Sequence, residues 1–157
     1  INRRRQIILR HSLERWISTM VYRDQLAIRT SGHRAMHDVT AAVQAIVDES
    51  GIQDGIVHIF NVGSTAVIGT IEFEPGLQRD LPDILDQLIP PNVNYGHEQA
   101  WHDGNGHSHL QATTLGPSET IPLEKGRMTL GTWQQIFHLE CDVKPRQRTI
   151  IVTVMGE

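Results

Sequence analysis

The stretch GIVHIFNVGSTAVIGTIEF, from residue 55 to residue 73, holds two apolar segments joined by a short turn. GIVHIF (55–60) is a continuous apolar run, which predicts a buried strand. TAVIGTIEF (65–73) predicts a second strand, and the Gly, Ser and Thr of NVGSTA predict the turn between them. The fold is therefore expected to be organised around a pair of strands near the middle of the chain.

Two helices are predicted around this pair. Residues 37–50 carry apolar side chains at helical spacing, with Asp38 suited to cap the helix and Gly51 to end it. A second helical stripe ends at the Pro-Pro pair of residues 90–91. It consists of Leu81, Ile84, Leu85 and Leu88.

The remaining segments are predicted to be strands. DQLAIRT (24–30) comes first, and HLQATTLG, ETIPLEKG, TWQQIFHLECD and RQRTIIVTVMG follow after residue 108, with Gly and Pro turns between them. Four strands at such short spacing predict an antiparallel meander. Two main helices among many strands define a compact single α+β domain with a mixed or antiparallel sheet.

Composition excludes several classes of protein. A chain of 157 residues is normally one domain, and a net charge of −4 with a pI near 6.1 disfavours a nucleic-acid binder. No apolar run approaches the roughly 18 residues of a membrane span. Cys141 is the only cysteine, so an intramolecular disulfide is impossible, and its strand pattern indicates a core position. We expect a protein of the reducing cytoplasm.

The first 21 residues differ from the rest. They contain five arginines and an apolar stripe at helical spacing, which predicts a basic helical extension over residues 1–21, before a domain at 22–157. Such an arm could serve a membrane surface, a partner or a targeting signal. The favoured interpretation is a helix that packs on its own domain or on a neighbouring subunit.

Histidines are concentrated in NYGHEQAWHDGNGHSHL (94–110), which holds His97, His102, His107 and His109. On an extended strand, His107 and His109 would project to the same side. Neutral imidazole is a good zinc ligand, and Glu72 or Asp103 could add a carboxylate. The alternative is a polar surface loop that binds nothing specific.

Three further features have two interpretations each. The exposed amides of VGSTA (62–66) could cradle a phosphate, although an ordinary turn accounts for this signal alone. Arg127, Arg146 and Arg148 could meet an anionic ligand or pair with surface carboxylates. Trp133 could stack on a flat ring or lie in the core.

Several of these motifs together resemble a known family. STA…IE, YGH, GNGHSHL, G…IPLEKGRMTLGTWQQI and R…VTVMGE are similar to the YjbQ-type family of small proteins, named for a secondary, low-level thiamine-phosphate synthase activity. The resemblance covers about residues 25–157. LGTWQ (130–134) combined with the Ser108-His109 pair is its most specific part.

The resemblance implies a compact α+β domain, a homotrimer and a set of recurring polar residues. His97 falls on the family's Y-x-H pattern and His109 on its SH pattern, whereas many members carry a further histidine where this chain has Gly63. Glu72 or His58 would be candidates to replace it. The recurring polar positions fall on Ser64, Thr65, Glu72, Asp80, His97, Ser108, His109, Thr132, Gln134 and Arg148.

The implied activity joins a hydroxymethylpyrimidine diphosphate to a thiazole phosphate. His97 and His109 would hold a divalent ion, zinc or alternatively magnesium, or would move protons, with Glu72 orienting one of them. Ser64, Thr65 and Arg148 would face a phosphate. The alternatives are a non-catalytic trimer that binds a metal or a phosphorylated metabolite, and a structural protein acting through its basic arm.

Overall fold

The protein is described by a computed structural model covering residues 19–157. Within these residues the chain forms strands and helices in mixed order, so the predicted α+β class is confirmed. In chain order they are β1 (Met20–Thr30), β2 (Met36–Asp38), α1 (Thr40–Ser50), β3 (Gly55–Val62), β4 (Ala66–Ile71), α2 (Leu77–Leu88), α3 (Gly96–Trp101), α4 (Gly106–Leu115), β5 (Ser118–Glu124), β6 (Arg127–Met128), β7 (Gln135–Glu140) and β8 (Arg146–Gly156).

The larger sheet has five strands in the order β1-β8-β3-β5-β6, and every pairing in it is antiparallel. Strand β8 pairs along its length with β1, where Ile150 lies opposite Leu26, and along its other edge with β3, where Val152 lies opposite Ile59. The last strand of the chain therefore lies between two earlier ones. The predicted meander of four consecutive strands is wrong, because β8 pairs with β1 and β3 and not with β7.

The smaller sheet has the order β2-β7-β4 and is also antiparallel. Strands β3 and β4 form close to where the sequence predicts them, yet they belong to different sheets. The short turn at residues 63–65 is therefore a corner at which the chain passes from one sheet to the other. His37 and Asp38 lie in β2 rather than at the start of the helix, and Asp38 Oδ1 accepts a hydrogen bond of 2.9 Å from the Thr40 N–H.

The segment HLQATTLG is not a strand but most of helix α4. Its inward face is largely polar, with His107, Ser108 and Gln111 buried beside Ala112, so the helix shows no apolar periodicity in the sequence. A helix turns about 100° per residue, which places side chains two residues apart on nearly opposite sides. His107 and His109 consequently do not share a face, and the prediction that they do is wrong.

Two apolar clusters form the core. One packs α1 on the larger sheet and includes Val43, Val47, Ile59, Ile136 and Ile150, all almost wholly buried. The other lies between the smaller sheet and helix α2. It consists of Val67, Leu85, Ala112, Phe137, Leu139 and Cys141, which confirms the core position expected for the cysteine.

The predicted extension at residues 1–21 lies almost entirely outside the described residues. Met20 and Val21 already belong to β1, which pairs in register with Gly156 and Met155 at the end of β8. No helix within residues 19–157 is both long and apolar enough to cross a membrane.

Replacement of Gly55 by alanine is expected to destabilise the domain strongly. A Cβ at Gly55 would lie 2.0 Å from the Met155 carbonyl oxygen, and its φ is +157°. We expect a loss of about 3 kcal/mol in the free energy of unfolding, at the upper end for a single substitution. Denaturant unfolding provides the measurement.

Gly51→Ala is the matched control. Gly51 also has a positive φ, +70°, but a Cβ there has no neighbour within 4 Å, so only the backbone strain of about 1 kcal/mol applies. Equal losses in the two variants would contradict the close approach of the chain at Gly55.

Candidate functional site

An open cleft of about 360 Å³ lies where the 63–65 corner, the start of α4 and the segment entering β8 meet. It brings together several residues that the sequence singles out on separate segments. Its lining consists of Gly63, Ser64, Thr65, Asn105, His109, Asp142, Arg146, Gln147 and Arg148.

A buried ion pair forms the floor of this cleft. Arg148 lies on the inward face of β8, in line with Ile150, and is only 7% exposed. Its Nε donates to one oxygen of Glu140 at 2.7 Å, and its Nη2 donates to the other at 2.5 Å. Nη2 also donates to Thr65 Oγ1 at 2.7 Å. The guanidinium is therefore fixed by two neighbouring elements, β7 and the corner.

Glu140 is fully buried, and both of its oxygens have additional donors. Thr30 Oγ1 donates to Oε2 at 2.9 Å, and the Asp142 N–H donates to Oε1 at 2.9 Å. A buried charge pair is tolerated only when the desolvated groups are satisfied in this way, and removal of one partner typically costs about 3–5 kcal/mol. Both carboxylate oxygens of Glu140 therefore accept hydrogen bonds, and the side chain serves to bind Arg148.

A second ion pair forms the rim. The Arg146 Nη2 lies 2.8 Å from Asp142 Oδ2, which also accepts a hydrogen bond of 3.1 Å from Thr65 Oγ1. Burial alone would raise the pKa of Asp142, but hydrogen bonds from the Lys144 N–H and from Arg146 outweigh it and lower the pKa. Asp142 is therefore an ionised partner of Arg146.

The Nη1 atom of Arg148 faces Gly63. A Cβ at Gly63 would lie 2.9 Å from Nη1, and the φ of +139° disfavours any other residue there. Within the described part of the chain, Nη1 makes no hydrogen bond, so its two N–H groups are available at the corner. A histidine at this position, as in many members of the resembling family, would require Arg148 to move.

His97 and His109 do converge, as predicted. His97 lies on the short helix α3 and His109 in the first turns of α4, and their ring centroids are 4.7 Å apart at an angle of 49°. His97 Nε2 lies 3.4 Å from Asp103 Oδ1. Among residues 19–157, no three His, Cys, Asp or Glu side chains are arranged to hold a metal ion, so a third ligand would have to be of another kind.

Glu98 fastens the loop between these two helices. Its carboxylate accepts hydrogen bonds of 2.8 Å from the N–H groups of Gly104 and Gly106. The bond from Gly106, and then that from Gly104, lower the pKa of this carboxyl below its ordinary value. Glu98 therefore sets how closely α3 approaches the start of α4, and with it the spacing of His97 and His109.

Glu72 is not part of the cleft formed by the same chain. It follows β4 directly, whereas Thr65 directly precedes this strand. At about 3.3 Å per residue, the seven steps between them span roughly 23 Å. Glu72 is exposed and its side chain makes no hydrogen bond within residues 19–157. Within one chain Glu72 and the cleft therefore lie at opposite ends of β4, and its role beside a histidine stays a prediction.

His58 is not a substitute for the missing family histidine either. It lies on β3 facing away from the buried Val57 and Ile59, and its Nδ1 is 2.8 Å from Thr120 Oγ1. Trp133 is 70% exposed rather than in the core, on the turn that precedes β7. That turn lies at the same end of the smaller sheet as Glu72.

The other two histidines of the cluster have different positions. His102 is exposed, whereas His107 lies behind α4 with its ring 5.1 Å from that of His33. His33 in turn contacts the Asp86 carboxylate at 2.9 Å. Burial, and then the neighbouring His33, lower the pKa of His107, so it is a neutral packing residue. Neither His102 nor His107 lines the cleft.

Sequence reasoning missed Glu140, Asp142, Glu98 and Asn105. Glu140 follows four consecutive buried residues of β7 with no alternation, so the sequence does not show that it is buried. One signal was available. Arg148 lies two residues before Ile150 on β8, so both side chains face inward, and a buried guanidinium requires a buried carboxylate. Glu98 and Asn105 carry no such signal, since their roles depend on how one loop closes.

The chain belongs to the YjbQ family, whose members share its α+β fold. Residues 24–157 match the family model described as UPF0047 protein YjbQ-like. The family resemblance inferred from the sequence motifs is thereby confirmed.

Relatives and solved structures extend over nearly the whole domain. A UPF0047 protein of Methanothermobacter thermautotrophicus is 41% identical over 137 residues, covering 87% of this chain and 94% of its own. The UPF0047 protein YugU of Bacillus subtilis is 35% identical over 133 residues, covering 83% and 97%. The crystal structure of a YbjQ-like protein of unknown function from Sulfolobus solfataricus P2 superimposes with a TM-score of 0.83 at 36% identity, covering 88% and 99%.

Substitution of Glu98 by glutamine is expected to lower the melting temperature in a pH-dependent way. Because the folded-state pKa is depressed, the carboxylate stabilises the domain above its ordinary pKa of 4.5, and this contribution is lost as the pH falls through the folded-state value. The difference between the wild type and Glu98→Gln should be full at pH 7 and shrink progressively below pH 4.5. Thermal melts from pH 7 downwards measure it.

Glu119→Gln provides the control, since the Glu119 side chain makes no hydrogen bond within the described residues. It should differ little from the wild type at any pH. A pH-independent difference for Glu98→Gln would show that the carboxylate charge does not hold the loop.

Proposed function

We propose that the cleft binds the phosphate of a small metabolite, and that the protein forms thiamine phosphate at a low rate from a pyrimidine diphosphate and a thiazole phosphate. The observation that carries the proposal is the convergence of Ser64, Arg148 and His109, from three separate segments, on one open cleft. The choice of reaction rests on the family resemblance. The cytoplasm remains the predicted location.

The phosphate would meet a guanidinium and a hydroxyl. Arg148 Nη1 makes no hydrogen bond within residues 19–157, and the exposed Ser64 lines the same cleft. Guanidinium groups match the geometry of phosphate oxygens. Thr65 has a different role from the one predicted, because its hydroxyl is already committed to Asp142 and Arg148. Thr65 would shape the corner rather than contact the ligand.

The charge of the cleft explains why a cation would help. Arg148 and Arg146 are each paired with a carboxylate, so the lining is close to neutral when the histidines are neutral. A diphosphate would add several negative charges. Protonation of His109 or binding of a divalent ion would offset part of that charge.

The residues fit a divalent ion at His97 and His109. The Nε2 of His97 is a buried ring nitrogen without a hydrogen-bond partner within the described residues, and imidazole nitrogen suits zinc. A bound ion would supply neutralisation of the diphosphate leaving group. His109 lines the cleft beside the proposed phosphate position, and it would hold the ion or carry a proton.

A homotrimer is proposed as the assembly. Its support is the separation of the polar residues into two ends of the smaller sheet, with His97 and His109 at the cleft end and Glu72 at the other. The second end also presents Trp133 on a turn held by a 3.0 Å bond from the Gly131 N–H to Gln134 Oε1. Exposed aromatic side chains on rigid turns are typical of interfaces. A head-to-tail contact that closes into a ring would bring Glu72 of one copy to the cleft of the next.

A non-catalytic binding protein is the second candidate. It is favoured by the absence of a free carboxylate on the cleft floor, where Glu140 and Asp142 are both held in ion pairs. Cys141 is no nucleophile, because burial, and then the nearby Glu140 carboxylate, raise the pKa of its thiol to about 12. In such a protein the same residues would bind a metal or a phosphorylated metabolite without turnover.

The activity is tested in a thiamine-requiring bacterial strain that lacks its main synthase. We expect slow growth with the natural protein and none with His109→Ala, because the alanine removes the ion or proton carrier. His102→Ala is the matched control, since His102 is exposed and outside the cleft lining. Absence of rescue by folded, well-expressed protein would favour the binding protein.

Assembly is tested by light scattering on a size-exclusion column. We expect three times the mass of the 17.7 kDa chain at micromolar concentration. Trp133→Ala should shift the mass towards the monomer, because the indole would lie in the head-to-tail contact. A monomeric wild type would refute the trimer.

A further inference from the structure

We infer that Asn105 is the third protein ligand of the divalent ion proposed at His97 and His109, and that this ligand set selects a zinc-like ion over magnesium. The inference rests on the proposed function, whose metal site it completes. It also accounts for the finding that, among residues 19–157, no three His, Cys, Asp or Glu side chains are arranged to hold a metal ion.

The first support is an unsatisfied oxygen. Asn105 lines the cleft together with His109 and is only 5% exposed. Its Oδ1 is buried and accepts no hydrogen bond within residues 19–157. His97 Nε2 likewise makes no hydrogen bond there, although Asp103 Oδ1 lies 3.4 Å from it. Buried polar atoms are nearly always bonded, and leaving one unpaired is costly. An unbonded oxygen acceptor on the cleft lining, four residues before His109, therefore indicates a bound electrophile.

The second support is that the Asn105 side chain does not cap helix α4. It occupies the N-cap position of α4, where an asparagine oxygen normally accepts a hydrogen bond from the first turn. Its side chain makes no cap bond, and Glu98 accepts the Gly106 N–H instead, at 2.8 Å. The cap is thus supplied from α3, which leaves Asn105 Oδ1 free for another partner.

The third support is preorganisation. The N–H groups of Gly104 and Gly106, on either side of Asn105, are both bound by Glu98, and the Asn105 carbonyl accepts a 2.9 Å bond from the Ser108 N–H. Gly106 itself must be glycine, since a Cβ there would lie 2.8 Å from Tyr95 Cβ. The backbone of Asn105 is therefore fixed. A metal ligand whose backbone is already fixed loses little conformational entropy when the ion binds.

The donor types define the ion. Two neutral imidazoles and one amide oxygen leave a position for water or substrate, which is the arrangement of open zinc sites. Magnesium prefers oxygen ligands and retains its waters, so a site dominated by nitrogen binds it poorly. Asp103 is the competing oxygen donor, with Oδ1 3.4 Å from His97 Nε2, but its side chain is 37% exposed, whereas Asn105 is buried.

Calorimetric titration of the full chain with zinc chloride, and separately with magnesium chloride, tests the inference. We expect one zinc per chain, at least about tenfold weaker binding in Asn105→Ala, and magnesium binding weaker than zinc by a larger factor. Asn105→Asp retains an oxygen ligand and adds charge, so its zinc affinity should equal or exceed that of the wild type. Asn94→Ala, at an exposed asparagine of the same loop region, is the matched control.

The outcomes separate the inference from the proposed function. Zinc binding that is lost in His97→Ala but unchanged in Asn105→Ala would overturn the role of Asn105 and leave the histidine site standing. Loss in Asp103→Ala instead would assign the oxygen to Asp103. No zinc binding by the wild type would overturn the metal site itself. If Asn105→Ala melts at a lower temperature, the folded Asn105→Asp variant decides the question, since weaker zinc binding there would contradict the inference.

Discussion

The buried ion pair between Arg148 and Glu140 is the constraint on which the cleft end of the domain depends. A guanidinium and a carboxylate that are removed from water must satisfy each other and find further partners. These partners come from different segments: Thr30 at the end of β1, Thr65 at the corner, and the backbone of Asp142. The pair thus joins both sheets at one point and fixes the end of the cleft at which a ligand would enter.

The same constraint explains the corner at residues 63–65. Strands β3 and β4 belong to different sheets, so the chain must turn sharply beside the Arg148 guanidinium. Only a residue without a side chain fits there, because a Cβ at Gly63 would lie 2.9 Å from Nη1. The buried ion pair therefore also determines which residue the corner accepts.

Prediction from the sequence worked where local signals suffice. The apolar runs at 55–60 and 65–73 became β3 and β4, and the pairing of His97 with His109 followed from the family motif. It failed for α4, because the inward face of that helix is made of His107, Ser108 and Gln111 and has no apolar period. It also gave no sign that Glu72 lies away from the cleft of its own chain, with the six residues of β4 between it and Thr65. Neither distance nor burial of polar groups can be read from residue order.

The sequence by itself determined the α+β class, the family and the two histidines, since alternation, turn residues and motifs are properties of short segments. Only the tertiary structure decided which strands pair, where Arg148 finds its carboxylate, and that Asn105 and His97 carry unpartnered buried atoms. The physical reason is that buried polar groups are satisfied by partners distant in sequence, such as Thr30 and Glu140, which are 110 residues apart. A candidate site built from such contacts forms only when the chain folds.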